Sequence, residues 1–373
     1  MRTLAVNGAR LLGRRTAIGR HLEYLAQYWS VTKIPFDRVL IFTPGPTEVS
    51  GLGAVTPVTI QPVGSHVTAL AWEQLLLPVV ARRASVLLCE YAGPIVLPTA
   101  PMVVANHGIY EALPQTFGRV RRLRATSVNR PAAKRSRLVI ANSMNTAADI
   151  ERYFKVDPAK IRIIYPGAAD IFFKPHARVE LERAMRENLN NDAPFILFVG
   201  KLSARRNVPN LIHAIRRVRD EGFRHRLVIV GPDVDAIAPH RLAEQLGLVD
   251  GLVHIDHLEQ DELALLYAAA DLFVLPSTYE GISWTVFEAM ASGTAVIGVD
   301  HPTMTEGAAD AALVIGDPSV DELAGAMLTL LGDPKKRVQL EEAGKLRAEQ
   351  FSLRESARAT TAVLDEAARQ SDR

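Results

Sequence analysis

The chain has 373 residues, 48% hydrophobic and 23% charged, an ordinary globular composition that excludes a disordered or fibrous chain and suits two domains better than one. Cys89 is its only cysteine, so no intrachain disulfide can form, and a reducing compartment such as the cytoplasm fits. The formal net charge is only +2, but 21 of the 43 Lys+Arg and 10 of the 41 Asp+Glu fall in residues 1–170, leaving 22 and 31 for the remainder. The basic front half suggests an anionic partner there: a membrane surface, a lipid phosphate or a phosphorylated acceptor.

Met1 to Asn7 reads as a first strand, and its apolar part is too short for the core of a signal peptide. A loop with Gly13 and Gly19 follows, then a helix with Leu22, Leu25 and Ala26 on its inner face. Strand, glycine-bearing loop and helix form a natural phosphate cradle, because helix N-terminal amides point at the ligand. The Gly-x-Gly-x-x-Gly spacing of a dinucleotide fingerprint is absent. Gly19 is a candidate contact, with a plain turn glycine as the alternative. Further strands are expected at 39–42, 55–60, 86–88 and 102–105, and an apolar helix at 71–81. Residues 91–110 carry no charge and are long enough to span a bilayer, but Pro94, Pro98 and Pro101 break the stretch. It ends in Asn106-His107-Gly108. A lone histidine is usually structural, yet this one stands at a strand's carboxyl end, where open α/β sheets bind ligands.

Arg119, Arg121, Arg122, Arg124, Arg130, Lys134, Arg135 and Arg137 form a basic run with no interleaved aromatic residues, which excludes the pattern of a nucleic-acid surface. A solvated face and a docking surface for anionic lipid or a phosphorylated acceptor both fit. A strand at 138–141 leads to Asn142 or Ser143, either able to cap a helix running to about Phe154, and 161–164 is a further strand. Residues 171–192, ending in Asn188-Leu189-Asn190-Asn191-Asp192, read as a linker.

The second half restarts with the apolar run Phe195–Val199, then Gly200-Lys201-Leu202-Ser203-Ala204-Arg205-Arg206-Asn207 and a helix at 208–221. Basic side chains on a strand-to-helix loop, backed by helix amides, suit a diphosphate; Lys201 and Arg206 are the candidates, and Arg205 reads as surface charge. Asp233-Val234-Asp235 spells an Asp-x-Asp triplet, too short a signal to imply a metal. Strands at 227–230 and 252–255 and a helix at 262–270 precede the buried run 272–275 and the turn Pro276-Ser277-Thr278. Glu280 and Glu288 then stand eight positions apart, with Gly281 between them. From Trp284 the spacing is helical, with Val286, Phe287, Met290 and Ala291 on one face and Gly293 as a C-terminal cap. A carboxylate among the apolar neighbours of Glu288 is costly to bury unless something binds it; ligand hydroxyls would do so, and a plain helix-face carboxylate is the alternative. A strand at 312–315 and helices at 319–331 and 334–349 follow, and Phe351-Ser352-Leu353 leads the final helix.

Glu280-Gly281-Ile282-Ser283 followed by Glu288-Ala289-Met290-Ala291-Ser292-Gly293-Thr294-Ala295-Val296-Ile297 resembles the donor-site signature of retaining glycosyltransferases of family four. Ser283 stands where a second glycine is usual and Ala295 where a proline is. The resemblance runs through nearly the whole chain and is strongest over 195–315. It implies an α/β chain of GT-B fold: two Rossmann-like doubly wound domains facing a cleft, residues 1–170 on the acceptor side and 193–350 on the donor side, with a helix in 351–373 crossing back to the first domain.

The resemblance further implies transfer of a hexose, mannose or a relative, from a GDP- or UDP-linked donor to a glycan, lipid-linked or other hydroxyl acceptor. It implies neither cofactor nor metal. Lys201 and Arg206 are to neutralise the leaving diphosphate, aided by amides near Thr285 and Val286. Glu288 is to hold the ribose, and His257 and Leu258 to border the base. Glu280 and the segment Gly281, Ile282, Ser283, Trp284, Thr285 and Val286 are to hold the donor, and His107 is to act on the transferred sugar. The family often has an aspartate where Gly108 stands, so only the histidine carries over. A nucleotide-sugar 2-epimerase or a non-catalytic binding subunit of the same fold are the alternatives. The expected location is cytoplasmic, with peripheral attachment at the inner membrane face suggested by the basic front half.

Overall fold

The computed structural model describes residues 1–64, 67–97, 99–109, 122–123, 125–189 and 193–370. Pro98 and Tyr110 of the uncharged stretch, Arg119, Arg121 and Arg124 of the basic run and Asn190-Asn191-Asp192 of the expected linker lie outside the described residues. The chain divides into two units, Met1–Pro166 with Leu353–Arg373, and Gly167–Ser352.

The first unit is built on seven parallel strands in the order β3-β2-β1-β4-β5-β6-β7. They are β1 Thr3–Asn7, β2 Arg38–Thr43, β3 Val58–Pro62, β4 Val86–Glu90, β5 Met102–Asn106, β6 Leu138–Ala141 and β7 Ile161–Ile163. The central strands β1, β4, β5 and β6 are buried along their whole length. Continuous burial on both faces is why these segments read as unbroken apolar runs rather than alternating ones. On one face Leu4, Val6, Val86 and Leu88 pack with Leu22, Leu25 and Trp29 of the Ala17–Val31 helix and with Ala357 and Leu364 of the final helix. That final helix, Leu353–Arg369, is tied to this unit by polar contacts as well. Trp29 donates its indole N–H to Thr361 Oγ1 at 2.8 Å, and Arg2 and Arg162 pair with Asp365 and Glu366 at 2.8 and 2.6 Å.

The second unit holds six parallel strands in the order β10-β9-β8-β11-β12-β13: β8 Phe195–Val199, β9 Arg226–Val230, β10 Leu252–Ile255, β11 Leu272–Leu275, β12 Ala295–Val299 and β13 Leu313–Ile315. Strand β8 is central; it pairs with β9 and with β11. In both sheets the strand order reverses beside the first strand of the unit, between β1 and β4 and between β8 and β11. Doubly wound sheets open a crevice at that switch point, outside the carboxyl ends of the strands.

Three differences from the expected elements stand out. Residues 171–192, expected as a linker, contain the helix Arg178–Leu189, which belongs to the second unit. It buries only Ala184 and Leu189 and is otherwise polar, so its pattern carries little amphipathic signal. The helices Pro239–Gln245 and Pro302–Ala308 are short and start with proline, the residue best suited to a first helical position. The expected helix at 71–81 is three joined pieces spanning 69–81, with a wider turn over Trp72–Leu76. Among the described residues no helix is long and apolar enough to cross a membrane.

Candidate functional site

In the second unit the switch point lies beside the loop after β8, with Lys201 and Arg206, and the loop after β11, with Glu280. Strand β8 is followed by Gly200, whose φ of +149° belongs to glycine. A Cβ there would lie 1.8 Å from Arg206 Nη1, so the missing side chain is what lets the Arg206 guanidinium lie against the backbone. Arg206 Nη1 donates to the Val199 carbonyl at 3.2 Å, and Nη2 lies 3.4 Å from Glu280 Oε1. Arg205, read from sequence as surface charge, is largely covered. Its Nη1 donates to Glu280 Oε1 at 2.6 Å and to the Tyr279 carbonyl at 2.8 Å. Burial alone would push the Glu280 carboxyl up, but Arg206, then Arg205, and the bond from Arg205 hold it below the ordinary glutamate value. Lys201 is exposed on the same loop.

Glu288 is buried in the Trp284–Ala291 helix. Its Oε2 accepts a hydrogen bond from the Tyr267 hydroxyl at 3.0 Å, which answers part of the cost of burying the carboxylate. Ser283 is the N-cap residue of that helix, and its Oγ lies 2.9 Å from Thr285 Oγ1. Beside Glu280 a small pocket of about 20 Å³ is lined by Ser277, Glu280, Ile282, Ser283, Val286 and His301 among others. Leu258 is buried and His257 exposed on the loop after β10, its ring 3.2 Å from Glu259 Oε1. Asp233 and Asp235 of the Asp-x-Asp triplet accept backbone amides of Ile237 and Ala238 and of Ala204; their oxygens organise the loops on which they sit.

In the first unit His107 follows β5 directly and its Nε2 lies 2.6 Å from Oε2 of Glu90, the last residue of β4. Glu90 was not among the candidates. Its signal was legible: a carboxylate closing a buried strand, at the same sheet edge that drew attention to His107. Burial would raise the Glu90 carboxyl, but His107, His21 and Arg10 hold it below the usual value. His21, buried on the Ala17–Val31 helix, is lowered to about 4 by burial. Among the described residues, His21, Glu90 and His107 form the one group of three whose ligand atoms could hold a metal ion. Asn106 and Asn142, at the ends of β5 and β6, have buried side-chain amides that make no hydrogen bond among the described residues. Gly19 is buried within the Ala17–Val31 helix, not on the preceding loop. A Cβ there would lie 2.5 Å from the Arg10 carbonyl oxygen, so packing alone accounts for glycine at this position.

Two doubly wound units, one with paired arginines and glutamates at its switch point, define the class: an α/β protein of GT-B type. Residues 181–347 match the family described as Glycosyl transferases group 1, and residues 18–169 match Glycosyltransferase Family 4. The chain belongs to this family of glycosyltransferases. Among curated relatives, a D-inositol 3-phosphate glycosyltransferase from Streptomyces bingchenggensis is 31% identical over 62% of this chain and 53% of its own length. An MMP alpha-(1->4)-mannosyltransferase from Mycolicibacterium hassiacum is 30% identical over 60% of this chain and 53% of its own length. The matched part thus spans about half the length of the curated relatives. Among solved structures, Anabaena HepE in complex with UDP and glucose superposes with a TM-score of 0.75 at 17% identity, covering 98% of this chain and 100% of that one. Sucrose-phosphate synthase from Thermosynechococcus elongatus gives a TM-score of 0.77 at 17% identity, covering 98% and 99%. These two likenesses show the fold.

Proposed function

We propose that the chain is a retaining, metal-independent glycosyltransferase that moves a hexose, mannose or a relative, from a GDP- or UDP-linked donor to a hydroxyl of a glycan or lipid-linked acceptor. The observation that carries the reading is the Arg205–Glu280–Arg206 cluster at the switch point of the second sheet. The relatives' names, a mannosyltransferase and an inositol-phosphate glycosyltransferase among them, and the UDP–glucose held by HepE support it.

Charge builds on the leaving diphosphate as the glycosidic bond breaks, and preorganised cations answer that charge without reorganisation. Arg206 is held in place by Glu280 and by the Val199 carbonyl. Lys201 adds a second cation, and amides at the start of the Trp284–Ala291 helix add donors. Glu288, oriented by Tyr267, accepts the ribose hydroxyls. Glu280 and the Gly281–Ser283 backbone hold the sugar, and His107, oriented by Glu90, is assigned to the transferred sugar. Retention follows if the leaving phosphate takes the acceptor's proton on the same face.

The test is a panel of nucleotide sugars scored by thermal shift and by transfer to hydroxyl acceptors, with Glu288→Ala alongside. A stabilising donor shifts the melting midpoint by mass action. A charge-assisted hydrogen bond is worth about 1.5–3 kcal/mol, so Glu288→Ala should weaken donor binding roughly 10–150-fold while the chain stays folded. Full transfer by that variant would sink the assignment. A native chain that neither responds to nor turns over any nucleotide sugar would be a non-catalytic binding subunit.

A further inference from the structure

The group His21, Glu90 and His107 is drawn from three parts of the first unit: the first turns of the Ala17–Val31 helix, the end of β4 and the residue after β5. Their ligand atoms all lie within 4.8 Å of one another. His21 and Glu90 are 6% and 5% exposed, and the His107 side chain 9%. The two imidazoles meet edge to face, ring centres 5.9 Å apart, while Glu90 Oε2 lies against His107 Nε2 at 2.6 Å.

We propose that these three side chains bind a single transition-metal ion of the zinc class, and that the ion inhibits transfer by occupying His107. Two imidazoles and one carboxylate, with a fourth position left open, are a donor set that zinc accepts. Magnesium and calcium prefer all-oxygen surroundings and do not suit it. Zinc bonds of about 2.0–2.1 Å in a tetrahedral site place ligand atoms about 3.3 Å apart. At present Glu90 and His107 stand closer than that, at 2.6 Å, and no separation in the group exceeds 4.8 Å. Ring rotations of the two histidines and a slight parting of the Glu90–His107 pair reach the tetrahedral spacing. The ion takes the place of the hydrogen between that pair and ends the hydrogen bond, and the neutral imidazole bound through Nε2 carries its proton on Nδ1. The negative charge of Glu90 offsets part of the cost of burying the dication.

The inhibitory half rests on the proposed role of His107 in transfer; the metal site does not. The experiment uses the full chain without a histidine tag, stripped with a chelator and titrated with zinc against a chromophoric competitor. Expected is saturation at about one ion per chain. Loss of an outer-shell partner already costs about 10–100-fold in metal affinity, so removal of a ligand in Glu90→Gln or His21→Gln should cost at least about ten-fold. Cobalt added to the native chain should develop visible bands of low-coordinate Co²⁺, a readout that needs no variant to fold. No stoichiometric binding by the native chain, or unchanged affinity in a folded variant, overturns the site. Binding that leaves transfer untouched overturns the inhibitory half, and with it the assignment of His107, while the metal site stands.

Discussion

Glu280 Oε1 accepts a hydrogen bond from Arg205 Nη1 at 2.6 Å across 75 positions of sequence. The same oxygen lies 3.4 Å from Arg206 Nη2. One carboxylate thus fixes two neighbouring guanidinium groups, and Arg205 also clamps the Tyr279 carbonyl at the base of the loop that carries Glu280. Arg205 is therefore a positioning residue for that loop. Arg205→Ala should reduce kcat/KM for transfer about 10–100-fold, as expected for loss of a charge-assisted bond. Arg205→Lys should recover only part, because a flexible, strongly hydrated ammonium replaces the rigid guanidinium whose Nη1 bonds both oxygens. Steady-state kinetics on both variants, with melting curves to show that they fold, checks this.

The same cluster sets a pH dependence. Glu280 is held below its ordinary value in the folded chain, so at acidic pH the unfolded chain binds the proton first. The stabilisation is full above the unfolded glutamate value of about 4.3 and is lost as pH falls through the lower folded value. Native chain should therefore exceed Glu280→Gln in stability above about pH 5. The gap should close as pH falls below about 4. Denaturant unfolding at a series of pH values measures the gap, and a gap that widens on acidification would contradict the paired state of Glu280.

Tyr267 and Glu288 form a buried pair of a different kind, a phenol bonded to a carboxylate. Tyr267→Phe removes the donor and leaves the Glu288 oxygen less satisfied, at a cost of about 1–3 kcal/mol. Replacing both residues, Tyr267→Phe with Glu288→Gln, should cost less than the sum of the single changes, because the buried charge is gone. A double-mutant cycle by chemical denaturation reads this coupling; strictly additive losses would show that the pair is not energetically linked.

Much of the architecture was legible because parallel strands buried on both faces are written as apolar runs. Phe195–Val199 is the clearest case, since the run and the strand share both ends. Glu280 and Glu288 were legible as well, one just past a buried strand and the other within an apolar helix. The partners that give them their setting were not. Arg205 looks like one more charge in a charged loop, and only the closeness of the loops after β8 and β11 brings it to Glu280. Tyr267 is one of many apolar positions in the Gln260–Ala269 helix, and its hydroxyl acquires a partner only when that helix packs. The polar helix Arg178–Leu189 escaped for the opposite reason: it buries two residues and leaves almost no pattern to read. Gly19 was read as a loop contact because a glycine records that space is short without recording what fills it.

Gly200 and Gly231 offer a comparison that separates function from stability. Both have φ in the region glycine favours, +149° and +141°, so an alanine is similarly strained at either. What the new Cβ would meet differs. At Gly231 it would lie 2.2 Å from the Gly200 carbonyl oxygen, a backbone atom that moves only if β8 and β9 part. At Gly200 it would lie 1.8 Å from Arg206 Nη1, the far end of a flexible side chain that escapes by leaving Glu280 and the Val199 carbonyl. Gly231→Ala should therefore lower the melting midpoint more, and Gly200→Ala should lower transfer more, by about ten-fold or more if one charge-assisted contact is lost. Melting curves and transfer rates on the two variants decide it. A Gly200→Ala chain that keeps full transfer would show that Arg206 does not need its place against the backbone.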